Sequence, residues 1–444
     1  MPVSPARAVA FDILLRVELQ NAYASELLHS RRLDQLSPAD RGLVTELVMG
    51  VLRWRSRLDQ AIAAAASRSL DELDVEVLVA LRMAAYQLRF LTRVPARAAI
   101  NESVELVKRA RKRSAAPFAN AVLRKLAELG PEPPAGEKSG ATAMKLADEF
   151  AHPAWLVERW GEQFGIGNAE VICRRNQRVP TISIRLDSNA IEGELESEGI
   201  KLASGVLLAT ARIVTSGDVT QTQAYREGRV FIQDEASQLV AALVGKGSRL
   251  LDCCAAPGSK TAALASRNPA AEIIAAELHP HRAEHLRQRV RAPNVQVITA
   301  DALHLPLQGE FDRVLADVPC SGTGTLARNP EIKWRLKPED LAELHKKQVA
   351  LLEAALEQLT PGGRAVYSTC SLEPEENRAV VEEVLASNRQ YRLLDCGVEL
   401  EHLHAAGDLA LDDFASLLSG PYLRTLPGVH PCDGFFAAMI ERKG

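Results

Sequence analysis

From Asp234 onward the sequence alternates short apolar runs with helical stretches, and this rhythm constrains the fold more than any other feature. The runs are Arg249-Leu-Leu-Asp252, Glu272-Ile-Ile-Ala-Ala-Glu277, Val295-Gln-Val-Ile-Thr299, Phe311-Asp-Arg-Val-Leu-Ala-Asp317 and Arg364-Ala-Val-Tyr367. Strands buried on both faces read as near-continuous apolar runs rather than alternating ones. Helical segments, such as 280–290 and 338–358, separate most of them. Strand, crossover helix and strand in repetition predict βαβ units and a mostly parallel, Rossmann-like sheet. In such sheets ligands bind beyond the carboxyl ends of the strands, so the residues just after each run are the candidates for chemistry.

The chain before Asp234 follows different patterns. Residues 1–130 read as all-helical: Val9, Ile13 and Val17, joined by Ala10 and Leu14, form one apolar face at helical spacing. Ser37-Pro-Ala-Asp40 is a cap-and-start signal, Val77, Leu81, Ala85 and Leu88 repeat the helical pattern, and Pro117 opens a final helix. Gly130-Pro-Glu-Pro-Pro-Ala-Gly136 breaks regular structure, which predicts a linker over 131–145. A small α+β subdomain is expected over 146–233. It would hold a short helix from Pro153 to Trp160, an alternating strand Thr181-Ile-Ser-Ile-Arg-Leu186, a helix over 191–199 and a strand starting at Val230. Residues 234–444 form the α/β domain.

With 444 residues, two or three domains are the prior expectation. No uninterrupted apolar run approaches the roughly 20 residues of a membrane-spanning helix. Met1-Pro-Val-Ser-Pro5 lacks the basic-then-apolar pattern of an export signal. A cytoplasmic protein is therefore expected; a monomer is expected too, though the sequence itself does not fix the oligomeric state. Seven cysteines, an odd number, argue against a disulfide framework, and without a Cys-x-x-Cys pair no metal site is expected. The formal net charge of −4 disfavours nucleic acid, yet Lys108-Arg-Ala-Arg-Lys-Arg113 and Arg174-Arg-Asn-Gln-Arg178 concentrate cations. Either run is a phosphate contact or a solvated helix face.

Three segments fall at the expected sheet rim. Asp252-Cys-Cys-Ala-Ala-Pro-Gly-Ser-Lys260 is a tight turn between a strand and a helix, where backbone N–H groups can approach a ligand. A P-loop would need glycine directly before the lysine and again five positions earlier; Ser259 and Cys254 stand there. The dinucleotide fingerprint is absent too. An adenosine cofactor without a polyphosphate remains. Glu277 ends the second strand, where a carboxylate can take both ribose hydroxyls, and Asp301 follows the third, in reach of an adenine amino group. S-adenosylmethionine fits this set; the alternative for each acid alone is a helix cap.

The other two segments, Asp317-Val-Pro-Cys320 and Ser368-Thr-Cys-Ser371, each set a thiol just past a strand. Pyrimidine carbon 5 is too weak a nucleophile to take a methyl group unaided. Addition of a thiolate at carbon 6 makes it enamine-like, and this is covalent catalysis. Lys260 and nearby N–H groups are expected to favour the thiolate, and Asp317 is placed to hold the ring edge. Cys173, Cys253, Cys254, Cys396 and Cys432 are expected to be inert as thiols, with Cys253 or Cys254 lining the floor of the cofactor turn.

At these residues the sequence resembles the NOL1/NOP2/Sun family of RNA 5-methylcytosine methyltransferases. The matching stretches are 252–261, Asp317-Val-Pro-Cys-Ser-Gly-Thr-Gly324, Asn329-Pro-Glu-Ile-Lys-Trp334, Thr369-Cys-Ser-Leu-Glu-Pro-Glu-Glu-Asn377 and Asp433-Gly-Phe-Phe436. The helical domain resembles the RNA-binding NusB fold through Ala98-Ala-Ile-Asn-Glu-Ser-Val-Glu-Leu-Val-Lys108 and Phe118-Ala-Asn-Ala-Val-Leu-Arg124. The resemblance implies Cys370 as the nucleophile and Cys320 as the residue that assists product release. It implies S-adenosylmethionine contacts from Cys254, Ala255, Ala256, Pro257, Gly258, Ser259, Lys260, Glu277, Asp301 and Asp317. Ser259 stands where glycine is usual and Glu277 where aspartate is commoner. The implied substrate is a cytosine of 16S ribosomal RNA, presented unstacked; the alternatives are transfer RNA or a non-catalytic RNA-binding assembly factor. Trp334 is either a stacking surface for RNA or a core aromatic.

Overall fold

The computed structural model describes residues 3–30, 33, 35–67, 69–132, 142–186, 188, 190–307 and 311–444. The chain forms two compact units: Met1–Val179 with Leu326–Arg335, and Pro180–Thr325 with Leu336–Gly444.

The first unit is helical. Its principal N-terminal helices are Pro5–Gln20, Pro38–Ala66, Val75–Phe90, Ala96–Arg109 and Ala116–Glu128. The cap read at Ser37 is made: its hydroxyl accepts the Asp40 N–H at 3.1 Å, and Pro38 takes the first position, where no N–H is needed. Asn21 closes the first helix in the left-handed conformation at φ 51°. The apolar faces meet in one core, with Leu14, Leu47, Leu52, Leu81, Met83 and Leu123 almost fully buried. Gly50 permits a close crossing, since a Cβ there would stand 2.0 Å from the Tyr86 ring.

The expected linker falls largely on 133–141, outside the described residues. The expected subdomain over 146–233 is divided between the units. Helices Ala143–Glu149, Ala154–Phe164 and Ile166–Asn176 belong to the first unit. Their buried faces, including Leu146, Leu156, Val157, Trp160 and Ile172, give them a helical packing role that sequence position alone does not show.

The second unit holds two sheets. The smaller is antiparallel, built from β1 (Ile182–Leu186), β2 (Lys201–Ser204), β3 (Ala211–Ser216) and β4 (Val230–Ile232) in the order β2-β3-β1-β4. Glu235 anchors the loop between β2 and β3, its carboxylate accepting the N–H groups of Val206, Leu207 and Leu208 at 3.0, 2.7 and 3.1 Å.

Among the described residues the larger sheet has nine strands. Its parallel part contains β5 (Arg249–Asp252), β6 (Glu272–Glu277), β7 (Val295–Thr299), β8 (Phe311–Asp317) and β9 (Leu359–Thr369), ordered β9-β8-β5-β6-β7. Antiparallel β10 (Tyr391–Leu394), β11 (Leu418–Ser419), β12 (Tyr422–Arg424) and β13 (Phe436–Arg442) extend it beyond β9. Residues from alternate faces of β5, β8 and β9 enter separate cores. Leu250, Leu315 and Val366 pack in one, and Leu251, Val314, Ala316 and Tyr367 in another. These strands are therefore apolar on both sides, which is why their runs are continuous in sequence.

Candidate active site

The carboxyl edge of β5, β6, β7 and β8 carries every predicted cofactor residue, and the edges of β8 and β9 carry both thiols. The turn from Cys254 to Lys260 leaves β5 and enters the helix Ser259–Arg267. Its shape depends on Gly258, which has φ +106° and lies so close to the helix Pro280–Arg289 that a Cβ would stand 2.5 Å from Leu286 Cδ1. The Ala256–Pro257 peptide within the turn is cis. Glu277 ends β6, buried, and accepts the His279 N–H at 2.9 Å. Asp301 follows β7, half-exposed, and caps the short turn Ala302–His304 by accepting the Leu303 N–H at 3.0 Å. Both acids thus perform local capping as well as facing the same rim.

At the head of the turn Asp252 is buried. Its Oδ2 accepts the Thr261 hydroxyl at 2.7 Å, while Oδ1 is buried with no hydrogen-bond partner. Burial pushes this carboxyl up to about 7, with the nearby Asp317 charge adding to the shift against the Thr261 hydrogen bond. Cys253 is buried and Cys254 half-buried. Burial first, and the surrounding acids second, push the Cys254 thiol up to about 12, as befits wall residues and not nucleophiles. The donor set at this edge suits an adenosine bearing an amino-acid tail: carboxylates for ribose hydroxyls and an ammonium, a helix N-terminus for a carboxylate.

Asp317 ends β8 and joins three elements. Its Oδ2 accepts from Lys260 Nζ at 2.8 Å and its Oδ1 from the Ser368 hydroxyl of β9 at 2.7 Å. Burial opposes the Lys260 ammonium, but the Asp317 charge and hydrogen bond, with Cys370 and Asp252, outweigh it and raise the lysine above its ordinary value. The lysine is therefore a fixed cation whose first partner is Asp317, within electrostatic reach of Cys370.

Cys320 lies on the turn after β8, and Cys370 directly follows β9. Their sulfurs are 3.4 Å apart, both side chains half-buried. The hydrogen bond to Cys370 and burial, with the nearby acids Glu376 and Asp317 adding to them, push the Cys320 thiol well above its usual range. The two turns are pinned by the backbone. Val318 N–H donates to Ser368 O at 3.0 Å and Gly324 N–H to Cys370 O at 2.9 Å. Gly434, in the segment before β13, donates in turn to Gly324 O at 2.8 Å. These glycines touch backbone to backbone: a Cβ on Gly324 would stand 2.1 Å from Gly434 O.

A buried polar cluster beneath the thiols escaped the sequence reading. Ser321, Thr323, Ser371, Glu376 and Asn377 are all buried there. The only available signal was their presence in the two cysteine-bearing motifs.

Trp334 is not a free stacking surface. Leu326–Arg335 belongs to the first unit, where the Trp334 indole N–H donates to Leu52 O at 2.6 Å. In the same segment Lys333, 1% exposed, donates to Arg53 O and Ala151 O at 2.9 and 2.6 Å, and Glu331 accepts the Ala24 N–H at 2.8 Å. Within the first basic run Lys108 pairs with Glu105, and Lys112 with Asp74. Arg174 of the second pairs with Glu170 and stacks over Phe150. Among the described residues no helix is long and apolar enough to cross a membrane, and no group of three or more His, Cys, Asp or Glu could hold a metal ion.

A parallel sheet with an antiparallel extension, a glycine turn after its first parallel strand and a helical bundle before it define a class, the Rossmann-like methyltransferases with a NusB-type domain. The NusB family model matches residues 4–128, and that of "16S rRNA methyltransferase RsmB/F" matches residues 242–441. The chain is 31% identical to probable ribosomal RNA small subunit methyltransferase B of Bacillus subtilis, with all of both chains covered. It is also 31% identical to ribosomal RNA small subunit methyltransferase B of Vibrio cholerae, over 98% of this chain and 97% of the other. Among solved structures, that of PH0851 covers all of both chains with a TM-score of 0.80 at 24% identity, a likeness of fold. The chain belongs to the RsmB/F family of methyltransferases.

Proposed function

We propose that the protein transfers a methyl group from S-adenosylmethionine to carbon 5 of a cytosine in 16S ribosomal RNA, through a covalent adduct between Cys370 and carbon 6. The observation that carries this reading is the pair of thiols 3.4 Å apart beside the Asp317–Lys260 ion pair at the sheet rim. The substrate class rests on the names of the relatives in Bacillus subtilis and Vibrio cholerae.

The roles follow from the groups' chemistry. Cys370, half-buried and within the field of the Lys260 cation, adds to carbon 6 and leaves an electron-rich carbon 5. Asp317, held by Lys260 and Ser368, hydrogen-bonds the edge of the base and steadies the charge that develops there. Cys320, kept as a neutral thiol by its partner, by burial and by the acids around it, stands beside the new carbon–sulfur bond. After methyl transfer a base takes the carbon 5 proton, the carbon 5–carbon 6 double bond re-forms and the Cys370 thiolate leaves carbon 6, and Cys320 assists this release. The turn from Cys254 to Lys260 with Glu277, Asp301 and Asp317 holds the cofactor, which when bound supplies an electrophilic methyl group.

The test incubates the purified protein with methyl-labelled S-adenosylmethionine and small-subunit or transfer RNA from cells lacking the enzyme, followed by nucleoside analysis. Labelled 5-methylcytosine in small-subunit RNA alone is expected. Label in transfer RNA would overturn the substrate, and cofactor binding without label in either RNA or in small-subunit particles would overturn the activity. Cys320→Ala is expected to stall as a denaturation-resistant RNA adduct, and Cys370→Ala to form none; swapped behaviour would reverse the two roles.

A further inference from the structure

Glu376 is 0% exposed, and a buried carboxylate is costly unless its lone pairs are met. Here four donors meet it. Oε1 accepts the Ser321 N–H at 2.7 Å and the Gln348 amide at 2.9 Å, while Oε2 accepts the hydroxyls of both Ser321 and Ser371. Ser321 follows Cys320 and Ser371 follows Cys370 in the chain, and their hydroxyls are 3.0 Å apart. One side chain thus ties together the two turns that carry the thiols, which lie on different strands. Gln348, on the helix Asp340–Glu357, also donates to Pro319 O at 3.0 Å, bracing the residue before Cys320. The backbone O of Glu376 accepts the Tyr367 hydroxyl at 2.6 Å, and the neighbouring Asn377 donates to Ser371 O at 2.9 Å. Stability alone does not require a charge here, since replacing buried ionic groups with apolar residues of similar volume is often neutral or stabilising.

We propose that Glu376 is a positioning residue that clamps the Cys320 and Cys370 turns together, so that the thiol that assists release stays beside the thiol that attacks. The proposal rests on the covalent reading above and adds to it a group that touches neither base nor cofactor. Its length matters more than its charge. Aspartate is one methylene shorter and cannot serve both turns. Glutamine keeps the reach: its oxygen accepts from the Ser321 N–H and Gln348, and its amide donates to the two hydroxyls, which rotate to accept. Displacement of a catalytic group by about 1 Å costs up to about 100-fold in rate. Loss of the clamp therefore slows the step that needs both thiols, release, more than the step that needs one, adduct formation.

The experiment measures the share of methylated RNA that remains covalently bound to full-length enzyme after denaturation, alongside turnover, S-adenosylhomocysteine affinity and the unfolding midpoint. Glu376→Asp is expected to lower turnover about 10- to 100-fold and to raise the trapped share, with cofactor affinity unchanged. Glu376→Gln is expected to restore both. If Glu376→Asp does not fold, the Ser321→Ala, Ser371→Ala double variant, which removes the hydroxyl ties, is expected to give the same rise in trapped RNA. A trapped share equal to that of the wild type in the folded variant would overturn the clamp, as would a Gln variant that stalls as strongly as Asp. If Cys320→Ala traps no adduct, the covalent reading itself fails, a result distinguishable from failure of the clamp alone.

Discussion

The contact between Gly324 and Gly434 makes a sharp quantitative prediction. A methyl group on Gly324 would stand 2.1 Å from Gly434 O, 2.7 Å from its carbonyl carbon and 2.8 Å from its Cα. All three are backbone atoms, so no side chain can swing aside, and the two segments must separate. Two hydrogen bonds break with that movement, Gly324 N–H to Cys370 O at 2.9 Å and Gly434 N–H to Gly324 O at 2.8 Å. Each contributes about 1 kcal/mol, and overpacking a tight contact adds about 1–3 kcal/mol. Gly324→Ala is therefore expected to destabilise the protein by about 3–5 kcal/mol. Because Cys370 hangs on one of the broken bonds, turnover falls as well. Gly193, in the helix Ala190–Ser197 with nothing within 4 Å of its Cβ position, supplies the control. Gly193→Ala is expected to stabilise by about 1 kcal/mol through helix propensity. Urea unfolding followed by circular dichroism reads both variants. A Gly324→Ala protein within 1 kcal/mol of the wild type, with full turnover, would refute the argument that this backbone contact sets the position of Cys370.

The remaining predictions address the cofactor turn and the helical unit. Burial raises the Asp252 carboxyl from 3.8 to about 7, so the folded state holds a proton that the unfolded state releases and stability falls as pH rises from about 4 to 7. The shift corresponds to at most roughly 4 kcal/mol; Asp252→Asn is expected to flatten this slope in cofactor-free thermal unfolding, and parallel curves for the two proteins would contradict it. Removing Glu277 as Glu277→Ala is expected to weaken S-adenosylhomocysteine binding by about 1.5–3 kcal/mol in calorimetry, the range for a hydrogen bond to a charged group; unchanged affinity would remove it from the ribose site. Lys333→Met strands the carbonyls of Arg53 and Ala151 and is expected to cost about 1–3 kcal/mol, with faster hydrogen exchange confined to the first unit. Uniform protection in Lys333→Met would show that the segment is held without these bonds.

What could be read from the sequence divides along a physical line. The strands β5, β6, β7 and β8 lie where their runs predict; β5 and β6 are buried on both faces and announce themselves residue by residue, whereas β7, at the end of the sheet, is half-exposed along its length. The start of β9 was missed: the run was begun at Arg364, yet the strand starts at Leu359, which pairs with Phe311 across an irregularity in the ladder. The antiparallel β10 to β13 were missed because the short Tyr391–Leu394 and Tyr422–Arg424 become strands only through partners far along the chain. The site divides in the same way. Asp252, Glu277, Asp301 and Asp317 were legible because a strand's end needs only its own strand to be placed. So were the thiols, each following its own apolar run. Trp334 was not, since its Leu52 partner lies 282 residues away in sequence. Nor was Glu376, since nothing in the segment Glu373-Pro-Glu-Glu-Asn377 itself tells which groups surround its carboxylate. A buried carboxylate becomes tolerable only once Ser321 and Gln348 arrive, 55 and 28 residues away in the chain. Sequence periodicity reports what each element does to its own residues, whereas satisfaction of a buried charge belongs to three elements at once. A charged residue inside a catalytic motif is therefore best tested for the donors it gathers before its charge is assigned to solvent.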